Sequence, residues 1–220
     1  MFKDFHYLNR SVLELNKLLV GSVIFDVYSQ EKNKIFFNIG SMDEPYRHLV
    51  ISTNPQHPYI TVKKIHHKAK RNTIRFFSET LPDTIKKVHI AEFDRIIKIK
   101  LTNSNIYFII IGARTNVFHS TSSQEINFFK QNKLNPEKIK SVLSKNYECK
   151  LIDKFSFSEN ISDLKYQTVK QSIPFISKDL YSEIMYRNKS GAVNEFEYHA
   201  RKCIKEIMKN DIVIGKENRT

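Results

Sequence analysis

Val88-His89-Ile90-Ala91-Glu92-Phe93-Asp94-Arg95-Ile96-Ile97-Lys98-Ile99-Lys100-Leu101 is the stretch that decides how this chain folds. Ile and Val crowd both of its ends and the charged pair Asp94-Arg95 sits between them. It therefore predicts strands over residues 88–92 and 96–101 with a break in the middle. Short β-type runs continue on either side. Residues 106–111 and 116–120 follow; Tyr59-Ile60-Thr61-Val62 and His48-Leu49-Val50-Ile51-Ser52 precede, separated by the loop Asn54-Pro55-Gln56-His57-Pro58. Further upstream, Val23, Phe25 and Val27 alternate with Ile24, Asp26 and Tyr28. The polar Glu31-Lys32-Asn33-Lys34 then turns the chain, and Ile35-Phe36-Phe37-Asn38-Ile39 returns as the second arm of a β-hairpin.

Helical patterns flank this β-rich stretch. Leu8, Val12, Leu15, Leu18 and Leu19 recur at helical spacing between Tyr7 and Val20, and Gly21 stops the helix. A short helix is expected around Phe76, Phe77 and Leu81, ended by Pro82. Past residue 135 the pattern changes: Asn135-Pro136-Glu137 starts a helix, an irregular polar stretch runs to Asp163, and helical segments follow near residues 177–187 and 194–210. The last helix buries Phe196, Ala200, Ile204 and Ile207, with Arg201, Lys205 and Lys209 on another face. The expected class is α+β: a β-rich, sandwich-like domain with flanking helices over residues 1–132, then a smaller helical module over 133–220.

A chain of 220 residues with a 40% hydrophobic fraction can bury a sizeable core. Its 36 Lys and Arg against 23 Asp and Glu give a formal charge of +13, which favours phosphate-rich partners. No apolar run long enough to span a membrane occurs, and Met1-Phe2-Lys3-Asp4-Phe5-His6 lacks the features of a signal peptide. A cytoplasmic protein without membrane contact is expected. Cys149 and Cys203 are too few for a disulfide framework or a four-ligand zinc site, and both read as free thiols.

Three segments resemble the N-terminal part of the NFACT family. Asp94-Arg95 stands where that family places an Asp-Arg dipeptide between two strands, the signature linked to tRNA recognition, with Leu81-Pro82-Asp83 where the family's preceding "LRK" helix motif would end. Gly112-Ala113-Arg114-Thr115-Asn116-Val117-Phe118 is similar to its Gly-Arg-x-Ser-Asn segment, with Gly112, Thr115 and Asn116 in register, Ala113 at the Arg position, and Ile109 where an acid is usual. Ile173-Pro174-Phe175-Ile176-Ser177-Lys178-Asp179-Leu180-Tyr181-Ser182-Glu183-Ile184 looks like its helix-hairpin-helix segment, with Phe175 in place of a Gly. The resemblance covers roughly residues 5–210. It implies a factor that handles tRNA on stalled large ribosomal subunits, acting by binding. The family's central coiled coil and C-terminal RNA-binding domain have no counterpart here, so a separate chain carrying them is an expected partner beside tRNA and large-subunit rRNA.

The candidate RNA-binding residues are Asp94, Arg95, Lys98, Gly112, Arg114, Asn116, Lys63, Lys64, Lys70 and Arg71. Arg presents a planar fork to phosphates or base edges, and an adjacent carboxylate can orient it; an ion pair near a strand end is the alternative. Arg114 and Asn116 are equally readable as a solvated Arg and a turn-forming Asn. Lys63-Lys64-Ile65-His66-His67-Lys68-Ala69-Lys70-Arg71 can clamp a sugar-phosphate backbone, with Tyr59 available to stack, or can be a solvated loop.

No catalysis, cofactor or metal is expected. His66 and His67 should face opposite ways on a strand, His199 and Cys203 form an i, i+4 pair without further ligands, and Asp4, Asp26 and Glu92 make no catalytic pair. The enzyme alternative is a DNA glycosylase of the formamidopyrimidine type. That chemistry needs an N-terminal Pro followed by Glu where Phe2-Lys3 stand, and a Cys-rich zinc finger that this chain lacks. A third class is a degenerate family member serving as a protein-interaction module. Ile109, Ala113 and Phe175 favour it, and Asp94, Arg95 and the basic excess oppose it.

Overall fold

The computed structural model describes residues 4–41, 47–131, 134–147, 163–173 and 175–209. Phe2-Lys3, Cys149, most of the irregular stretch expected before Asp163, and the end of the last expected helix at Asn210 lie outside the described residues.

Helix α1 (Phe5–Leu19) opens the described chain; the Asp4 side chain caps it by accepting from the His6 N–H at 2.9 Å and the Tyr7 N–H at 3.4 Å. Strands β1 (Val23–Glu31), β2 (Lys34–Gly40), β3 (Arg47–Ser52) and β4 (Tyr59–Lys63) then form an antiparallel meander, with the short β5 (Ile74–Arg75) against the outer part of β1. Asn33, with φ 63°, makes the tight turn between the first two strands. A second meander follows: β6 (Asp83–Ile90), β7 (Ile96–Leu101), β8 (Ser104–Ile109), β9 (Asn116–Thr121) and β10 (Ile126–Phe128). Pairs Val23–Thr84 and Ile24–Asp83 join the two meanders into one ten-stranded sheet.

The two halves enclose one core because strand alternation turns the apolar side of each the same way. Ile24, Phe37, Leu49 and Ile51 from the first half meet Val88, Ile97, Ile99 and Phe108 from the second, with Leu8, Val12, Leu15 and Leu19 of α1 packed among them. The side chain of Asn16 accepts the Val88 N–H at 2.8 Å, which fixes α1 against β6. Fully burying a side chain such as Phe37 contributes about 1.5–3 kcal/mol.

Four more helices complete the α+β fold: α2 (Pro136–Ser144), α3 (Tyr166–Ser172), α4 (Lys178–Arg187) and α5 (Val193–Lys209). Asn135 caps α2 through its bond from the Lys138 N–H, as the Asn-Pro-Glu start predicts, and Ser177 caps α4 in the same way. Residues on both sides of position 132 share packing. Leu134, Val142 and Tyr147 cover Tyr107 and Phe118 on the outer face of the second meander, while Ile184, Phe196, Ala200 and Ile204 join the main core. The Arg10 guanidinium donates to the Met208 carbonyl at 2.7 Å and ties α5 to α1.

Two local expectations are corrected. No α-helix forms around Phe76 and Phe77. The Phe76 N–H donates to the Val27 carbonyl at 2.8 Å, keeping the chain extended beside β1, Phe77 is left-handed with φ 56°, and only a 3-10 turn, Ser78–Thr80, remains. His66 and His67 are not on a strand, since β4 ends at Lys63 and the chain there is irregular. The short strands β5 and β10 and the helix α3 carry no clear periodicity in the sequence.

Candidate functional site

The β6–β7 hairpin closes through residues 91–95. The Ala91 N–H donates to the Ile96 carbonyl at 2.8 Å, the Asp94 N–H to the Ala91 carbonyl at 3.3 Å, and the Asp94 side chain accepts the Arg95 N–H at 2.7 Å. One side of this tip is held by the chain that follows α2. The Glu92 N–H donates to the Asn146 carbonyl, the Asn146 amide returns a bond to the Glu92 carboxylate at 3.0 Å, and Lys145 pairs with Asp94 at 3.1 Å.

On the other side the tip meets the start of α1 and the link between α3 and α4. Phe93 stacks on Phe175, with centroids 4.8 Å apart and an interplanar angle of 14°, and Phe5 packs against both rings. Phe93 adopts φ 52°, a left-handed conformation costly for an aromatic residue and maintained here by the surrounding packing. The residue stays 44% exposed, which places an aromatic side chain at the rim.

Together these elements enclose a cleft of about 330 Å³ lined by Asp4, Phe5, Phe93, Asp94, Arg95, Tyr166, Lys170, Phe175, Ile176 and Ser177. Its chemistry is mixed. Arg95 and Lys170 supply positive charge, and Phe93 and Tyr166 supply ring faces. Asp4, buried, keeps one carboxylate oxygen without a hydrogen-bond partner. Cations and a stacking surface suit a nucleotide, whose phosphate and base each find a counterpart.

The expected residues are distributed unevenly around this cleft. Asp94 and Arg95 line it, and so do Phe175, Ile176 and Ser177 of the third segment, 80 residues further along the chain. The second segment is attached to the same turn, because the Ile110 N–H donates to the Arg95 carbonyl at 3.0 Å. Gly112 and Arg114 lie in an exposed 3-10 turn (Gly112–Arg114), where Gly112 takes φ +48°, a conformation that suits glycine.

Asn116 needs correction. It is only 4% exposed, its amide donates to the Lys130 carbonyl at 3.2 Å, and its oxygen accepts from the Val117 and Lys130 N–H groups at 2.9 and 3.1 Å. That side chain holds β9 to the bend after β10 and presents nothing to a ligand. Lys98 is half-buried between rings, 5.2 Å from the centre of Tyr147 and 5.5 Å from that of Tyr107, and burial followed by the nearby Lys100 lowers its pKa.

Lys63, Lys64, Lys70 and Arg71 are exposed but lie away from the cleft. From the Val23–Thr84 joint, β1 runs one way and β6 the other, so the basic loop beside β1 and the turn after β6 stand at opposite ends. That loop is anchored: Lys68 pairs with Asp26 and sits 4.5 Å above the Tyr28 ring, His66 stacks on Phe36 at 4.3 Å, and the Gln30 amide accepts the Ala69 N–H at 2.7 Å. Lys170, Tyr166 and Phe93 were missed from sequence. The only signal they offer is proximity in the chain to motif residues, since contact with the cleft is made by the fold.

The model for the NFACT N-terminal and middle domains matches residues 4–118, just over half of the chain, so the chain belongs to that family. Among solved structures it is similar to the N-terminal part of the fibronectin/fibrinogen-binding protein from Streptococcus suis (TM-score 0.65, 16% identity, 90% of this chain and 84% of that one). It is also similar to the fibrinogen-binding protein from Staphylococcus aureus (TM-score 0.65, 14% identity, covering 94% and 83%). A third likeness is the N-terminal domain of the fibronectin-binding protein PavA from Streptococcus pneumoniae (TM-score 0.55, 16% identity, covering 93% and 80%). At these identities the likeness is one of fold. No curated protein matches the chain. Among the described residues no helix is long and apolar enough to cross a membrane.

Proposed function

We propose that this chain binds RNA, with tRNA and large-subunit rRNA as its partners, in the rescue and quality control of stalled ribosomes in the cytoplasm. It acts by binding, without a chemical step. The single observation that supports this most is convergence: Asp94-Arg95 and residues 175–177, distant in sequence, line one cationic and aromatic cleft.

The test is tRNA binding by Arg95→Ala. Loss of one charged fork from a phosphate or base edge should weaken binding about tenfold or more. A variant that bound tRNA as tightly as the parent would remove Asp94-Arg95 from the site. Sedimentation of tagged protein with ribosomes and free large subunits from its own cells tests the partner, and protein that stays at the top of the gradient without RNA would count against a ribosomal role.

A second reading, a protein-interaction module, is favoured by the Phe93–Phe175 stack, which fills part of the cleft with apolar rings where the family places a glycine. The similar structures, of fibronectin- and fibrinogen-binding proteins, point the same way.

A further inference from the structure

The β6–β7 hairpin carries a second organised feature along its outer face. Register pairs His89 with Lys98 and, one rung further from the tip, Lys87 with Lys100. Val88, Ile90, Ile97 and Ile99 between them are buried in the main core, so alternation puts all four basic residues on the opposite face. Near the tip this face is roofed by Leu134, Val142 and Tyr147, with Lys98 at the margin of the roof. Beyond the roof Lys87 and Lys100 are exposed, as is Lys86 at the bulge between Ile85 and Lys87.

Strand pairing disfavours this arrangement. Residues directly opposite each other stabilise a sheet when they are oppositely charged, aromatic or β-branched, and like charges there are destabilising. Here two basic rungs follow one another, and among the described residues Lys87, Lys98 and Lys100 make no ion pair. His89 is held below its usual pKa by burial and then by Lys87, with Lys98 and Lys100 adding and a hydrogen bond to the Tyr147 backbone opposing. Lys98 in turn feels Lys100. Lys87, Lys98 and Lys100 all act on His89 and Lys100 acts on Lys98, with no carboxylate among the described residues acting on either. Lys98 is compensated by the Tyr107 and Tyr147 rings, whereas Lys87 and Lys100 stand exposed and directly opposite each other without an ion pair among the described residues, and a local rule broken in this way is characteristic of a surface built for an outside partner.

We propose that this face is a track for a phosphodiester backbone, running along the outer side of β6 and β7. It rests on the RNA-binding reading above and extends it to a surface outside the cleft. Neighbouring strands stand about 4.8 Å apart and same-face residues about 6.7 Å apart, so flexible lysine heads on this grid can each meet a separate phosphate. The rung Lys87–Lys100 continues sideways into Asn105, a half-buried amide that adds a hydrogen-bond donor. The tyrosine and phenylalanine of the neighbouring rung, Tyr107 and Phe118, are buried under the roof. A cationic face without an exposed apolar anchor suits a sugar-phosphate chain better than a protein, whose interfaces depend on a buried apolar centre.

The experiment compares the full chain with the double variant Lys87→Gln/Lys100→Gln, measuring anisotropy of labelled tRNA from about 50 to 200 mM salt. The variant should bind about tenfold more weakly, with a log–log salt slope shallower by about 1.5, corresponding to two lost phosphate contacts. Its thermal midpoint at low salt should equal or exceed the parent's, since a like-charge rung has been removed. A variant with the parent's affinity and slope overturns the track and leaves RNA binding at the cleft intact. A parent that binds no tRNA overturns both. Weaker binding with an unchanged slope also overturns the track. So does poly-glutamate that binds the parent as tightly as tRNA and is lost in the variant, because the occupant is then an acidic protein.

Discussion

Asp83 enters β6 buried, and its carboxylate collects the Thr84 and Thr102 N–H groups at 2.8 and 3.0 Å, the Asn103 N–H at 3.2 Å and the Ser104 hydroxyl at 3.2 Å. It thereby fastens the β7–β8 turn to the point where the two meanders join. Asp83→Ala leaves those donors without a partner and should cost about 2–4 kcal/mol, read as a lower thermal midpoint. An unchanged midpoint would show that water replaces the carboxylate freely. His6 is a different case. It is fully buried, packed edge-on against Phe5 and Phe175 at 5.4 and 5.1 Å, and neither ring nitrogen has a hydrogen-bond partner. Burial lowers its pKa from 6.5 to about 4, against the opposing pull of Asp4. Between these values the unfolded chain binds the proton more tightly, so stability is intact above pH 6.5 and falls as the pH drops toward 4. The loss is on the order of 3 kcal/mol. His6→Leu should be at least as stable at neutral pH and should lose less on acidification; equal acid sensitivity of parent and variant in melts across this window would remove His6 as the cause.

At the scale of elements, Phe175 joins three of them: the start of α1 through Phe5, the β6–β7 turn through Phe93, and the link into α4. Phe175→Gly, which restores the glycine of the family pattern, removes this joint and should cost about 3–5 kcal/mol, with faster proteolysis of the helical segments as its sign. Proteolysis at the parent's rate would mean that α1–α5 contacts alone hold the module. The failed helix around residue 76 belongs to the same scale. Phe76 packs on Phe129 at 5.1 Å and Phe77 on His119 at 5.1 Å, so these rings serve the second meander while the backbone pairs with β1. Local spacing of aromatics therefore misled, because their partners are about 50 residues away. The reverse holds for α2 and α4, whose capping residues Asn135 and Ser177 announce them within a single turn.

For the whole molecule, the charge of +13 should make tRNA binding fall by orders of magnitude between about 50 and 200 mM salt. Affinity insensitive to salt over this range would point to an apolar protein partner instead. Most of the sheet was legible in sequence, since alternating and β-branched runs report burial on one face within a few residues, and so was the family, through short motifs. The sequence by itself determined most of the strands, the capped helices α2 and α4, the basic surplus and the Asp94-Arg95 turn. Only the tertiary structure decided that Asn116 is an internal clamp, that Phe93 and Phe175 stack, that Lys170 reaches the cleft, and that Lys87 and His89 face Lys100 and Lys98. Periodicity encodes which face of an element is buried, whereas pairing register and the packing of distant elements depend on contacts between residues tens of positions apart.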